Sequence, residues 1–324
     1  MVFLMTVPVY GAAVFLGAKP DPTDRDIQAA LDRLREGAEL ILPAGTFEIH
    51  SPIVLQYDGQ ILRGSGLKTI FHLADKANCP VVILGSPNRL KPITHIHLCD
   101  LIINGNRLNQ QAEFWRSAAD GSQLNNNGID VWNVNDASVE RVVCCSCRSG
   151  GLVTAMARRL TVCDFTAFDN QFDGLACYFT EDSSFKGLKL YSNLAAGISL
   201  DLSFNHNTFD DTVLTGNELG IFMRQSRNNS FQNLTITKSK NQGVFMAQTG
   251  HPTSKGWMPM PGTECTNNSF DGLTISECGG DAFTIHDRSC KNNAIQKARF
   301  VKNHAVSLAP TQISMVNAEI VPLP

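Results

Sequence analysis

Six glycines, at positions 128, 151, 174, 197, 220 and 243, follow one another at a constant interval of 23 residues. A fixed period of this length means that one supersecondary unit is stacked on itself, because each unit alone cannot bury its apolar face. The texture after each glycine identifies the unit. Gly128-Ile129-Asp130-Val131-Trp132, Gly151-Leu152-Val153-Thr154-Ala155, Gly174-Leu175-Ala176-Cys177-Tyr178, Gly197-Ile198-Ser199-Leu200-Asp201, Gly220-Ile221-Phe222-Met223-Arg224 and Gly243-Val244-Phe245-Met246-Ala247 share one pattern. Ala282-Phe283-Thr284-Ile285-His286 and Ala305-Val306-Ser307-Leu308-Ala309 continue it more weakly.

The second and fourth pentad positions are almost always apolar and the third and fifth vary, the two-residue alternation of a strand buried on one face. A glycine before each strand suits a turn of positive φ or a close backbone approach. A second motif opens other strands with phenylalanine: Phe185-Lys186-Gly187-Leu188, Phe231-Gln232-Asn233-Leu234 and Phe270-Asp271-Gly272-Leu273. Each coil therefore holds at least two strands and no helix, which is a parallel β-helix and not a leucine-rich repeat. Paired asparagines at 228/229, 267/268 and 292/293 fall at equivalent turns, where their amides can bond from coil to coil. The repeat thus accounts for asparagines that also fit glycosylation sequons.

Repeat architectures run long as one domain, so 324 residues are read as a single unit: residues 1–37 a cap strand and helix, 38–309 the coils, 310–324 a C-terminal tail. The net charge is −3 with no basic cluster, which argues against nucleic acid as a partner. Ten cysteines show no disulfide-framework spacing, and Cys144, Cys145 and Cys147 read as free thiols within strands. Met1 to Ala18 is apolar and uncharged and ends as a signal peptide would, which would make the protein secreted or periplasmic. It lacks a basic start and is interrupted by Pro8 and Gly11, so a first strand capping the solenoid is favoured. No segment is long and apolar enough to span a bilayer, so no membrane partner is expected.

One helix is expected, over Thr23 to Arg35, with Ile27, Ala30, Leu31 and Leu34 on one side and Thr23 or Asp24 as its cap. It would plug the open end of the solenoid. Around it, Gly17-Ala18-Lys19, Thr23-Asp24, Ile27-Gln28-Ala29-Ala30-Leu31, Leu42-Pro43-Ala44-Gly45-Thr46-Phe47 and Leu62-Arg63-Gly64-Ser65-Gly66 resemble the N-terminal signature of pectate-lyase-like β-helix proteins. Asp100-Leu101-Ile102-Ile103-Asn104-Gly105-Asn106-Arg107 is similar to a stretch in the catalytic modules of mannuronan C5-epimerases. The resemblance implies an all-β, single-stranded right-handed parallel β-helix of about 23 residues per coil, and activity on a polysaccharide. It does not choose among lyases, hydrolases, epimerases, fructotransferases and phage binding proteins, which share the fold.

The choice rests on the site. The fifth pentad position points outward on every coil and, read down the stack, gives Trp132, Ala155, Tyr178, Asp201, Arg224, Ala247, His286 and Ala309. Stacked strands lie roughly 4.8 Å apart, so Asp201 is expected between Tyr178 and Arg224, within bonding reach of each. The outward third position adds Asp130 and Ser199, and Asp173 sits on the turn beside Tyr178. This set suits proton abstraction next to a carboxylate. Arg224 would neutralise a uronate carboxylate, and Tyr178 or Asp201 would shuttle protons, giving a lyase or a C5-epimerase. Asp173 with Asp201 forms the alternative, a carboxylate pair for a glycoside hydrolase or fructosyl transferase.

Two insertions should wall the same face: residues 108–127 with Trp115 and Arg116, and residues 251–264 with Trp257. With Asp130, Trp132, His286 and Ser199, these are the candidate substrate contacts. The Asp-Pro-His motif of the epimerases, the paired aspartates and Gly-His-Gly of polygalacturonases, and the Asp cluster of calcium-dependent lyases are all missing. No cofactor and no metal site is read from the chain, since His251, His286 and Asp287 are split by a loop and default to surface residues. The remaining alternative is a non-catalytic glycan-binding or adhesion β-helix, in which outward Phe222 and Phe245 would serve a homo-oligomer, a trimer in most such proteins.

Overall fold

The computed structural model describes residues 13–15, 22–34, 37–86, 89–111, 126–253, 256–259 and 261–322. The chain winds into a parallel β-solenoid of about 12 turns of about 23 residues. The pentads form one face. Ile53–Leu55, Val82–Leu84, Ile129–Asn135, Leu152–Arg158, Leu175–Tyr178, Ala196–Asp201, Leu219–Arg224, Val244–Ala247, Phe283–Ile285 and Val306–Ser307 stack in that order. From Ile129 to Val244 every pairing keeps the 23-residue register, as in Ile129↔Leu152, Leu175↔Ile198 and Ile221↔Val244, and the longer step Val244↔Phe283 takes up the insertion. Second- and fourth-position side chains such as Ile129, Leu152, Ile198, Leu200, Ile221 and Met223 are fully buried in the bore.

The repeated glycines answer to crowding, not to a left-handed turn. None of the six has positive φ. A methyl on Gly151 would stand 2.6 Å from the carbonyl oxygen of Gly174 on the next coil, closer than real Cβ contacts allow. The second motif differs: its corner residues Gly187, Asn233 and Gly272 hold φ of 67°, 52° and 72°. The phenylalanines before them stack along the bore, Phe185 on Phe209 at 4.6 Å, Phe209 on Phe231 at 5.0 Å and Phe231 on Phe270 at 4.5 Å.

Two rows of buried asparagines tie the turns. Asn207, Asn229, Asn268 and Asn293 pass side-chain hydrogen bonds of 2.9–3.2 Å along the axis. In the expected pairs it is the second asparagine that is buried, while Asn228 and Asn267 are exposed. A second row, Asn170, Asn193 and Asn217, was not apparent from the sequence, since its members are not doubled. All ten cysteines are free.

The helix spans Asp24–Arg33, a turn shorter than Thr23 to Arg35, with Thr23 as the cap in a reciprocal capping box with Asp26. Ile27 and Leu31 are fully buried, and Asp24 accepts the backbone N–H groups of His50 and Ser51 at 2.8 and 3.0 Å. Within the apolar N-terminal stretch, Ala13–Phe15 is a strand paired with Glu39–Ile41. The C-terminal stretch corrects the expectation of a tail: Ile313–Val321 is a strand laid in parallel on Asn293–Val301 over eight pairs. It carries no glycine pentad, but Asn317 (φ 53°) takes the left-handed corner above Lys297 (φ 50°), so this coil is built from the second motif's face alone. No described helix is long and apolar enough to cross a membrane.

Candidate functional site

The fifth-position column exists as a physical row. Trp132 pairs with Ala155, Ala155 with Tyr178, and Tyr178 with Asp201, and Arg224 pairs with Ala247. The backbone N–H of His286 donates to the carbonyl of Met246, which sets His286 beside Ala247. From Trp132 to His286 the row covers six rungs, roughly 29 Å. Its members are not equally open to solvent: Asp201 is only 3% exposed, and Ser199 is buried with it.

Around Tyr178 the row opens into a cleft of about 430 Å³, lined by Trp132, Met156, Phe172, Asp173, Tyr178, Phe179 and Leu202 among others. Asp173 enters it from the turn before Gly174. Its carboxylate accepts the N–H of Ala196 at 2.8 Å, yet it is 6% exposed, and burial pushes it from the ordinary 3.8 up to about 7. A carboxyl in that range is present in both protonation states near neutrality. Burial also drives the Tyr178 phenol up, reinforced by Asp173 and Asp201 and opposed by Arg224, so it rests protonated.

Asp201 faces the other way chemically. It forms an ion pair with Arg224, accepts the N–H of Leu202 at 2.8 Å, and receives the Thr249 hydroxyl at 3.4 Å. No hydrogen bond joins it to Tyr178 among the described residues. Arg224 keeps 25% of its side chain exposed and opens on a second cleft of about 340 Å³, where Phe222, Phe245 and the exposed His286 stand. Phe222 and Phe245 are stacked at 5.8 Å, with His286 tilted against Phe245 at 6.0 Å.

The insertion after Gly243 forms an antiparallel hairpin, Gly250–Thr253 with Gly256–Pro259, in which Trp257 pairs with Pro252. Its base is clamped by Glu264, which takes Arg227 at 3.0 Å and the N–H of Gly262 at 3.0 Å. Thr249, at the root of the hairpin, is what reaches Asp201. The Trp257 side chain, and Trp115 and Arg116 altogether, lie outside the described residues. Asp130 accepts Asn127 at 2.7 Å, and the Arg89 guanidinium covers the Trp132 ring at 4.0 Å. Met156, Phe172 and Phe179 were not singled out from the sequence. They sit outside the pentad's outward positions, at the coil corners, where side-chain direction depends on the turn.

A family described as Periplasmic copper-binding protein (NosD) matches residues 103–256, just under half of the chain. Among the described residues, no three His, Cys, Asp or Glu side chains converge as a metal site would require, and Cys144, Cys147 and Cys177 point into the bore, where burial raises their thiols. These residues do not fit a copper site. No curated protein sequence matches the chain. Among solved structures, it is similar to the A-module of mannuronan C-5 epimerase AlgE6 from Azotobacter vinelandii, at 16% identity over 93% of this chain and 95% of that one, with a TM-score of 0.61. It is also similar to the family 28 exopolygalacturonase of Yersinia enterocolitica (11%, 96% and 78%, 0.64) and to pectate lyase Pel9A (11%, 90% and 72%, 0.57). The fold is thus the right-handed parallel β-helix of the pectate-lyase-like kind.

Proposed function

We propose that this right-handed β-helix is a carbohydrate-active enzyme that lays a polysaccharide along the fifth-position row and moves a proton at Asp173 and Tyr178. The observation that carries the reading is the Asp173 carboxyl, held at about 7 in an aromatic cleft. Paired groups whose surroundings give them different protonation states divide acid and base work between them. Asp173, ionised above about pH 7, is the base, and the protonated Tyr178 is the acid. Arg224, fixed by Asp201, meets a uronate carboxylate and lowers the cost of charge at the adjacent carbon. Loss of the 4-linked sugar makes the reaction that of a lyase; return of the proton to the opposite face makes it that of a C5-epimerase. The similarity to epimerase and lyase structures supports the substrate class.

The test is to incubate the protein with alginate, pectate and glucuronan and follow the ultraviolet absorbance of unsaturated products, the uronate stereochemistry by NMR, and new reducing ends. Unsaturated products or inverted C5 centres that Asp173→Asn and Tyr178→Phe abolish are expected. Reducing ends without unsaturation would replace this reading with hydrolysis by Asp173 and Asp201, and binding without any product would replace it with a glycan-binding shaft.

A further inference from the structure

Left-handed corners recur throughout the solenoid, and Asn, Asp, Ser, Lys or another polar residue occupies nearly all those that are not glycine. Among the described residues the apolar exceptions are three: Met156 (φ 54°), Phe179 (φ 48°) and Leu202 (φ 51°). They stand at the same position of consecutive coils, each directly after a fifth-position residue, and the equivalent corners on either side are Asn133 and Gln225. Bulky side chains are strained in this region, and burial recovers little, since Met156 is 42% and Phe179 49% exposed and Leu202 is only half-buried. All three line the Asp173–Tyr178 cleft.

Three apolar side chains kept at strained corners that line one cleft are accounted for by a ligand that covers them. Sugar hydroxyls alone do not suit that lining, because they would lose water without gaining partners. The same cleft is also lined by Tyr178, whose protonated hydroxyl is a hydrogen-bond donor. A group with a carbonyl oxygen on one side and hydrocarbon on the other fits both surfaces. We propose that the cleft takes a sugar bearing an ester-linked acyl group, its carbonyl toward the Tyr178 hydroxyl and its alkyl part against Met156, Phe179 and Leu202. This rests on the reading of the row as a glycan site, and makes O-acylation the feature that the site selects.

The experiment is calorimetric binding of an O-acetylated tetra-uronide and of the same tetra-uronide after mild alkaline deacetylation. One buried methyl-sized group corresponds to about a fourfold difference in affinity, so the acetylated form should bind at least about fourfold more tightly. Met156→Asn and Phe179→Asn place a residue at home in the left-handed region. Both should raise the melting temperature and erase the acetyl preference. Equal affinity for the two ligands, no binding of either, or a preference that survives both substitutions would overturn the proposal. So would variants that melt lower and bind unchanged. The readout needs no turnover: acetyl preference without any product refutes the catalytic reading alone, and turnover with no acetyl preference refutes this one alone.

Discussion

Arg224 reaches back one coil to form an ion pair with Asp201, a carboxylate the solenoid has otherwise closed off from water. The pair is what allows a charged group to lie buried at this point of the row. Removing the cation alone strands the anion. Arg224→Ala should therefore cost about 2 to 4 kcal/mol, somewhat under the loss for a fully sealed pair because Arg224 is partly solvated. Arg224→Ala combined with Asp201→Asn should recover more than half of that loss. Urea denaturation of the four proteins measures the coupling, and additive losses would show that the pair is not mutually dependent.

Asp173 makes stability depend on pH in a defined direction. Its folded carboxyl stands at about 7 against the ordinary 3.8, so between those values the folded state holds the proton more tightly than the unfolded one. Stability is full below about pH 4 on this account and falls as pH rises through about 7. Asp173→Asn removes that dependence. The variant should be the more stable protein above pH 7, and its advantage should shrink as the pH is lowered toward 4. Thermal melts across that window check the sign.

The same group sets the rate profile. With Asp173 as base, kcat/KM should climb through about pH 7, and Asp173→Asn should lower it by about 10² to 10⁴. Tyr178→Phe should lower it within the same range without moving the ascending limb. Stopped assays across pH separate the two roles.

Gly151 faces the carbonyl of Gly174 with no space for a methyl. Gly151→Ala should cost about 3 kcal/mol or more, since both partners are backbone and neither can turn aside. A melting temperature within experimental error of the parent would contradict the packing described.

Asn229 accepts from Asn207 and donates to Asn268 and to the carbonyl of Phe204 at 3.0 Å, all in the buried row. Asn229→Ala leaves several of these groups unsatisfied and should cost about 2 to 4 kcal/mol. The exposed neighbour Asn228, itself at a left-handed corner (φ 57°), provides the control: Asn228→Gly keeps that backbone region open and should change stability by about 0.5 kcal/mol or less.

The period, the strand character of the pentads, the capping helix and the outward row were all legible in the amino-acid sequence. Each depends on spacing along the chain, and a solenoid turns spacing along the chain directly into position in space. Tyr178, Asp201 and Arg224 could be placed in one row for that reason. What the row does with them could not. Whether Asp201 is open or sealed depends on Thr249, 48 residues further on, and on the loop that carries it over the coil. Whether Asp173 titrates near 3.8 or near 7 depends on how much water the turn admits, which no spacing encodes. The ridge of Met156, Phe179 and Leu202 depends on backbone dihedrals at the corners, where the strand alternation that made the sequence readable stops. Periodicity determined the scaffold and the order of the side chains; burial, charge pairing and corner geometry, set only when the coils close on one another, decided the chemistry of the face.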